Sequence, residues 1–421
     1  MAILIALALV AQAFSGSPVL KQSQVVLNCP LGAGVGTGDD NLTCTGGEVV
    51  TLTRTTVSIA CPRTALEDTA VWEESAGTPC FIDGYGMYVS PGLTNAIIRS
   101  EAFDNASWVD VGTPVRAAGV GDSPLNDVDA DTLADSIEDN DGAAQEGIGQ
   151  QYATDTTSLQ AVSVWARVTS GTLAFTICVL TGTDTCNTGN GCCANQSATT
   201  TWTRFNTTAT TGATNQTKNL RIVVGNDGTG ATTGVLWLWG AQARVGSAEA
   251  AALIPYCRST GASATACNAE TYSVAVHDFP WVSGAFSADT RPYWNALSNS
   301  YTPNQLTWFD AFTAATTNVR TLRFVASDER TYFVNWNGSG GSTSMSAALT
   351  WAKGVSNTAF AAWGGSDRSL GQNFTVGVRD VDATMPVSAP TTVNIGMGNS
   401  SKLDACLSNL RFYRVPQTYM R

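Results

Sequence analysis

The chain reads as all-β: two antiparallel β-sandwich domains behind a disulfide-bearing N-terminal segment. Three observations predict this. Apolar and polar residues alternate in short runs that are separated by Gly-, Thr- and Asn-rich turns. Only 13% of the 421 residues are charged, where about 25% is typical of soluble globular proteins. Thr, Ser, Asn, Gly and Ala take the place of the missing Lys and Glu, which suits strands and turns better than helices. Hardly any segment shows helical periodicity; the acidic stretch from Asp122 to Asp141 and the run AEAAAL are the places where a short helix is conceivable.

The elements follow in order. Residues 1–14, MAILIALALVAQAF, form an apolar run too short to span a bilayer, with Ala11-Gln12-Ala13 as a small-x-small cleavage pattern. This predicts a signal peptide and export, although the stretch lacks Lys or Arg before its apolar core; an ordinary apolar strand or helix is the alternative. With that segment removed, no membrane insertion is expected. Residues 15–94 form a cysteine-bearing, strand-rich segment, and the abundance of cysteine fits an oxidising compartment.

Cys29, Cys44, Cys61 and Cys80 suggest local loops near the N-terminus; Cys178, Cys186, Cys192 and Cys193 cluster in a second place. Cys257 and Cys267 flank a Ser/Ala/Gly linker. Disulfides fit these spacings better than a zinc site, because adjacent Cys192-Cys193 is not a finger pattern. The count of 11 Cys is odd, which leaves one thiol over, with Cys406 the candidate.

Residues 95–256 form the first sandwich. In LQAVSVWARV, alternation puts Val162, Val164, Ala166 and Val168 on one face; in TLAFTICVL it does so for Leu173, Phe175, Ile177 and Val179. VLWLWGAQA places Val235, Trp237, Trp239 and Ala241 on one side. Residues 257–421 repeat the grammar, with Leu322, Phe324 and Ala326 alternating in one run and Tyr332, Val334 and Trp336 in the next. Phe374, Val376 and Val378 alternate in a third.

Two constellations are candidate sites. Counting from Asp127, carboxylates at Asp129, Asp131, Asp135 and Glu138 fall at positions 3, 5, 9 and 12 of a calcium loop. Calcium is therefore the one candidate cofactor. Thr132 stands where the loop needs glycine, which favours a solvated acidic loop instead. The aromatic-rich run from Phe279 to Phe309 is the second. Most of its rings belong in the interior, whereas Trp294 and Tyr301, among Pro, Asn and Ser, are expected to face a ligand, with Asn295 and Asp310 to bond its hydroxyls.

Charge and histidine content exclude other classes. With 22 Lys+Arg against 34 Asp+Glu, the net charge of −12 argues against nucleic-acid or anionic-membrane binding. His277 is the single histidine. Beside Asp278 in a strand it would point to the opposite face, so the pair cannot form a triad. A G-x-S-x-G element and an alternating Glu-x-Asp-x-Glu are both absent.

The run NAIIRSEAFDNASW, Asn95 to Trp108, resembles the entry to a jelly-roll module found in bacteriophage tail-fibre and virion-associated proteins and related exported bacterial proteins. DADTLADS, TTTWTRF and WLWGAQARVGSAEAAALIPY match further elements of that family in the same order. Ile395 to Thr418, IGMGNSSKLDACLSNLRFYRVPQT, is similar to the ending of laminin-G-like domains of the concanavalin A-like superfamily; Asp404-Ala405-Cys406 replaces the glycine expected before the last strand. The resemblance implies a jelly roll followed by a laminin-G-like sandwich, and a non-catalytic, lectin-like role. The expected partner is a glycan or a cell-surface or virion-surface component, and a homo-oligomer is compatible with it. The alternatives are a structural fibre or particle component and an exported carbohydrate-active enzyme.

Overall fold

The computed structural model describes thirty strands between Val25 and Arg414. It also describes connections within residues 93–124, 133–140, 142, 145–155, 159–181, 192–210, 216–226, 232–245, 256–267, 282–292 and 355–364. Among the described residues there is no helix, and neighbouring strands pair antiparallel. The protein is all-β and built from sandwiched sheets. Residues 1–14, Cys44, Cys186 and His277 lie outside the described residues.

The first sandwich packs two five-stranded sheets. One runs Thr203–Thr210, Leu159–Arg167, Gly234–Val245, Ala134–Asp139, Val115–Gly121; the other runs Cys193–Ala198, Leu173–Thr181, Gln216–Val224, Gly147–Asp155, Val109–Val111. Val162, Val164, Ala166 and Val168 from the first meet Leu173, Phe175, Ile177 and Val179 from the second in one buried core. Alternation thus assigns these two strands their inward faces as expected.

The strand Gly234–Val245 departs from expectation. Ser163 pairs with Gln242 and Trp165 with Trp239, so two residues oppose one and the strand bulges at Gly240. Gly240 takes φ +62°, and a Cβ there would lie 2.8 Å from the Trp165 ring, so only glycine fits. The bulge reverses the phase. Leu236, Leu238, Ala241 and Ala243 enter the core, whereas Trp237 and Trp239 are turned to the outer face of the sheet.

The run Asn95 to Trp108 closes one edge of this core as a structural plug. Asn95 Nδ2 donates to the carbonyls of Ala241 and Cys257, at 3.0 and 2.8 Å, while its Oδ1 accepts from the Ile97 and Ala243 N–H groups. Phe103 and Trp108 stack with centroids 4.8 Å apart. The Arg116 guanidinium gathers the turn by donating to the carbonyls of Phe103, Asn105 and Trp108. These bonds of Asn95 and Arg116 all go to backbone, so the two side chains serve the fold.

The second sandwich joins larger sheets. One runs Thr375–Asp380, Asp367–Gln372, Asn357–Gly364, Ser283–Pro292, Ala405–Arg414, Gly86–Val89, Cys80–Ile82, and Val25–Cys29 also pairs with Ala405–Arg414. The other runs Val50–Thr53, Thr271–Ala275, Thr392–Ile395, Gln305–Phe312, Arg320–Val325, Arg330–Trp336, Ser342–Ala348. Phe286, Phe309 and Phe412 form its aromatic centre, with centroids 4.5 to 5.4 Å apart. In Arg330–Trp336 the buried residues are Thr331 and Phe333, not Tyr332 and Val334, which are half-buried. The Phe333 ring packing on Trp363 sets that phase.

Every sheet that takes a strand from residues 15–94 also takes one from beyond residue 255. The N-terminal segment therefore does not form a layer of its own. Cys178 and Cys193 face each other across adjacent strands and are bonded. Cys192 and Cys257 each take part in a further disulfide, and Cys29, Cys61, Cys80, Cys267 and Cys406 lie on strands.

Candidate functional site

The bulge at Gly240 has a chemical consequence on the outer face of the first sandwich. Register places Arg167 beside Trp237, Trp237 beside Ser136, and Ser136 beside Ala117. Trp202, just before the strand Thr203–Thr210, flanks Arg167 on its other side. The Arg167 guanidinium lies over both indoles, 5.2 Å from the Trp202 centroid and 4.5 Å from that of Trp237. A planar cation held between two electron-rich faces gains cation–π attraction twice.

One end of this aromatic and cationic rail is open. Trp202 is buried, Trp237 and Arg167 are half-buried, and Asp122, which pairs with Arg167, has a side chain 66% exposed. Gly121 makes the arrangement fit, because a Cβ there would stand 2.1 Å from Trp237 Cζ3. Arg204, 4.2 Å from the Trp165 centroid, repeats the motif one row deeper. That row is closed: Trp165, Trp239 and Tyr256 are buried against one another, with the Tyr256 hydroxyl bonded to Ser100 Oγ and donating to Glu101 Oε1. Burial, and then the Glu101 charge, push the Tyr256 phenol well above its usual 10.0.

The open row therefore combines a partly exposed indole, a fixed guanidinium and an exposed carboxylate. Those groups can stack on an apolar ring face, donate to hydroxyls and accept from them. The sequence reading missed it because it put Trp237 on a strand face together with Ala241. A Gly after two tryptophans in an alternating run was the available signal of a bulge.

The sequence-predicted sites fare differently. Residues Ala134–Asp139 form a strand, so Asp135 and Glu138, three positions apart, project from opposite faces. Within that strand the two do not follow the curve of a calcium loop. Asp135 is buried, and its Oδ2 accepts from the Phe103 and Asp104 N–H groups at 2.6 and 3.2 Å, while Oδ1 accepts from Gly119 at 2.9 Å. Burial raises its pKa above 3.8 against the lowering by those three bonds. Glu138 is half-buried and sits opposite Val235 and Val115. Asp127, Asp129 and Asp131 lie outside the described residues. Among the described residues no group of three or more His, Cys, Asp or Glu side chains could hold a metal.

Of the aromatic run, Phe286, Trp308 and Phe309 are core residues, and Trp308 Nε1 donates to Thr290 Oγ1 at 2.6 Å. Trp294, Asn295 and Tyr301 lie outside the described residues. Asp310 occupies a strand position opposite Asn394 and Thr321. Among the described residues no helix is long and apolar enough to cross a membrane.

No family model matches the chain, and no curated protein matches it. Among solved structures, the receptor-binding domain of botulinum neurotoxin C/D mosaic serotype is 9% identical over 36% of this chain and 39% of its own length, with a TM-score of 0.29. The CBM40 module of Ruminococcus gnavus IT-sialidase, bound to alpha2,3 sialyllactose, is 10% identical over 32% of this chain and 77% of that one, at 0.26. Domains LG4-5 of the mouse laminin alpha1 chain are 11% identical over 67% of this chain and 89% of that one, at 0.28. The chain thus spans 39% of the length of the first of these. Overlaps at these scores carry no argument about function, which has to come from the chain's own residues.

Proposed function

We propose that this is a non-catalytic recognition protein, exported or carried on a virion surface, that binds glycans or another surface component through its sandwich faces. One observation supports the reading most: the Trp202, Arg167, Trp237 and Asp122 row is polar, aromatic and partly exposed on an outer sheet face. A sugar ring offers an apolar C–H face to an indole and hydroxyls to a carboxylate and a guanidinium, which is what this row supplies. The segment that carries Trp294, Asn295 and Tyr301, together with Asp310, is a second proposed contact surface.

A different observation favours a second reading, a structural particle component. Val109, Val115 and Leu133 are 67%, 46% and 46% exposed and lie on or beside the strands that end the two sheets. Apolar side chains beside a sheet edge suit packing on a neighbour.

Glycan-array binding by the secreted chain, with and without calcium, separates the two. The recognition reading expects a defined glycan set whose binding drops at least tenfold in Trp237→Ala, with melting little changed, and drops again in Trp294→Ala and Tyr301→Ala if the second surface contributes. No glycan binding, together with stable self-association lost on Val109→Asp, would replace it with the structural reading.

A further inference from the structure

We propose that Asp139 and Glu146 hold a calcium ion between the two sheets of the first sandwich. The site lies where the strand Ala134–Asp139 ends and Gly147–Asp155 begins, and it uses none of Asp127, Asp129, Asp131, Asp135 and Glu138, the carboxylates expected from sequence to form a calcium loop. It is also separate from the tryptophan row.

The strand Ala134–Asp139 belongs to one sheet and Gly147–Asp155 to the other. Asp139 shares the inward phase of Ile137, a core residue; Glu146 shares that of Ile148, a core residue of the opposed sheet. Both carboxylates therefore point into the sandwich from facing layers, near the same connection. Asp139 is 0% and Glu146 2% exposed.

Each carboxylate has one oxygen engaged. Asp139 Oδ1 accepts from the Gly142 N–H at 3.4 Å, and Glu146 Oε1 accepts from the Thr113 N–H and hydroxyl at 3.1 and 2.6 Å. The other two oxygens, Asp139 Oδ2 and Glu146 Oε2, are buried with no hydrogen-bond partner among the described residues. A buried carboxylate that lacks a counter-charge is strongly unfavourable, and two at one end of a core compound the cost. A shared cation satisfies both.

The donor chemistry selects the ion. Only oxygens face the gap from these two side chains, so soft metals that want Cys or His are disfavoured. Calcium accepts roughly six to eight oxygens in loose geometry and readily takes backbone carbonyls and water beside two carboxylates, whereas magnesium demands a near-ideal octahedron. The ion would cross-link the sheets where the chain passes from one to the other.

The test uses the full chain, stripped with EDTA and then dialysed against radiolabelled calcium, beside Asp139→Asn and Glu146→Gln. Both substitutions keep the engaged oxygen and remove the charge. Wild type should bind calcium and melt roughly 5–10 °C higher at a hundred times its dissociation constant. Each variant should bind one ion fewer and lose most of that shift. Wild type that neither binds calcium nor melts differently in EDTA overturns the proposal without any variant. So do variants that retain the full ion count, and so does a calcium-independent gain in stability on acidification, which would assign the two oxygens a shared proton.

Discussion

Asp135→Asn is the sharpest probe of how the first sandwich is held, because one side chain ties three segments together. Its two oxygens accept from Phe103, Asp104 and Gly119, joining the turn after Asn95 to the irregular pairing of Val115–Gly121 with Ala134–Asp139. An asparagine supplies one carbonyl oxygen and must turn its amide toward the remaining donor. At least one bond to a charged acceptor is lost, worth about 1.5–3 kcal/mol, and one buried N–H is left facing another donor. Relief from burying a charge offsets part of this, so a net loss of roughly 2–3 kcal/mol is expected at neutral pH.

The pH dependence of the same pair carries a sign. Burial raises the Asp135 pKa above 3.8, so the folded chain holds this proton more tightly than the unfolded chain. The stability that the group contributes is fully present below pH 3.8 and is lost as pH rises through the folded-state pKa. The gap between wild type and Asp135→Asn should therefore narrow over that window and then stay level to pH 7. Urea denaturation of both proteins from pH 3.5 to 7, with and without EDTA, measures it. A gap that widens with pH would refute the burial argument, and one that vanishes in EDTA would make Asp135 a metal ligand after all.

Three further outcomes are expected. Gly121→Ala places a methyl group 2.1 Å from Trp237 Cζ3 and 2.3 Å from its Cη2, so the ring must move at a cost of about 1–3 kcal/mol; unchanged tryptophan emission would show that it had not. Replacing Cys178 and Cys193 together by Ser opens a loop with a sequence separation of 15, worth about 3 kcal/mol on loop-closure grounds, read by thermal unfolding. Tyr256→Phe removes bonds to Ser100 Oγ at 2.7 Å and Glu101 Oε1 at 3.0 Å and should cost about 1–2 kcal/mol. In wild type no tyrosinate absorbance from this residue should develop until well above pH 10.0.

Strand content and the inward faces of Leu159–Arg167 and Leu173–Thr181 are legible because a two-residue period has one phase as long as pairing is regular. At Gly240 that condition fails. One added residue moved Trp237 and Trp239 to the outer face and brought Ala241 inward, and alternation cannot count a bulge. The acidic run shows the same dependence on local geometry. Positions that suit a loop wrapped around an ion become opposite faces once Asp135 and Glu138 lie in a strand. Asp139 ends a strand of one sheet and Glu146 precedes a strand of the other, seven positions on, so the cation site proposed for them depends on sheet packing that spacing alone does not encode.

The pairing of distant segments bears on how the first sandwich is presented. Leu93–Asn95 leads into it and Thr265–Cys267 leads out, and these two strands pair with each other. Alongside them, Ser100 N–H donates to the Ser259 carbonyl at 2.8 Å, Asn95 reaches the Cys257 carbonyl, and Arg258 Nε pairs with Glu101 at 2.8 Å. Entry and exit are thus stitched by backbone bonds, a buried amide and an ion pair, where a single strand would swing freely. Strands on both sides of this insertion, Val25–Cys29, Val50–Thr53 and Gly86–Val89 before it and Thr271–Ala275 and Ala405–Arg414 after it, complete the second sandwich. The row of Arg167 between Trp202 and Trp237 therefore sits on a module anchored at both of its chain ends. Rigid anchoring of the proposed recognition face would reduce the ordering that binding otherwise demands.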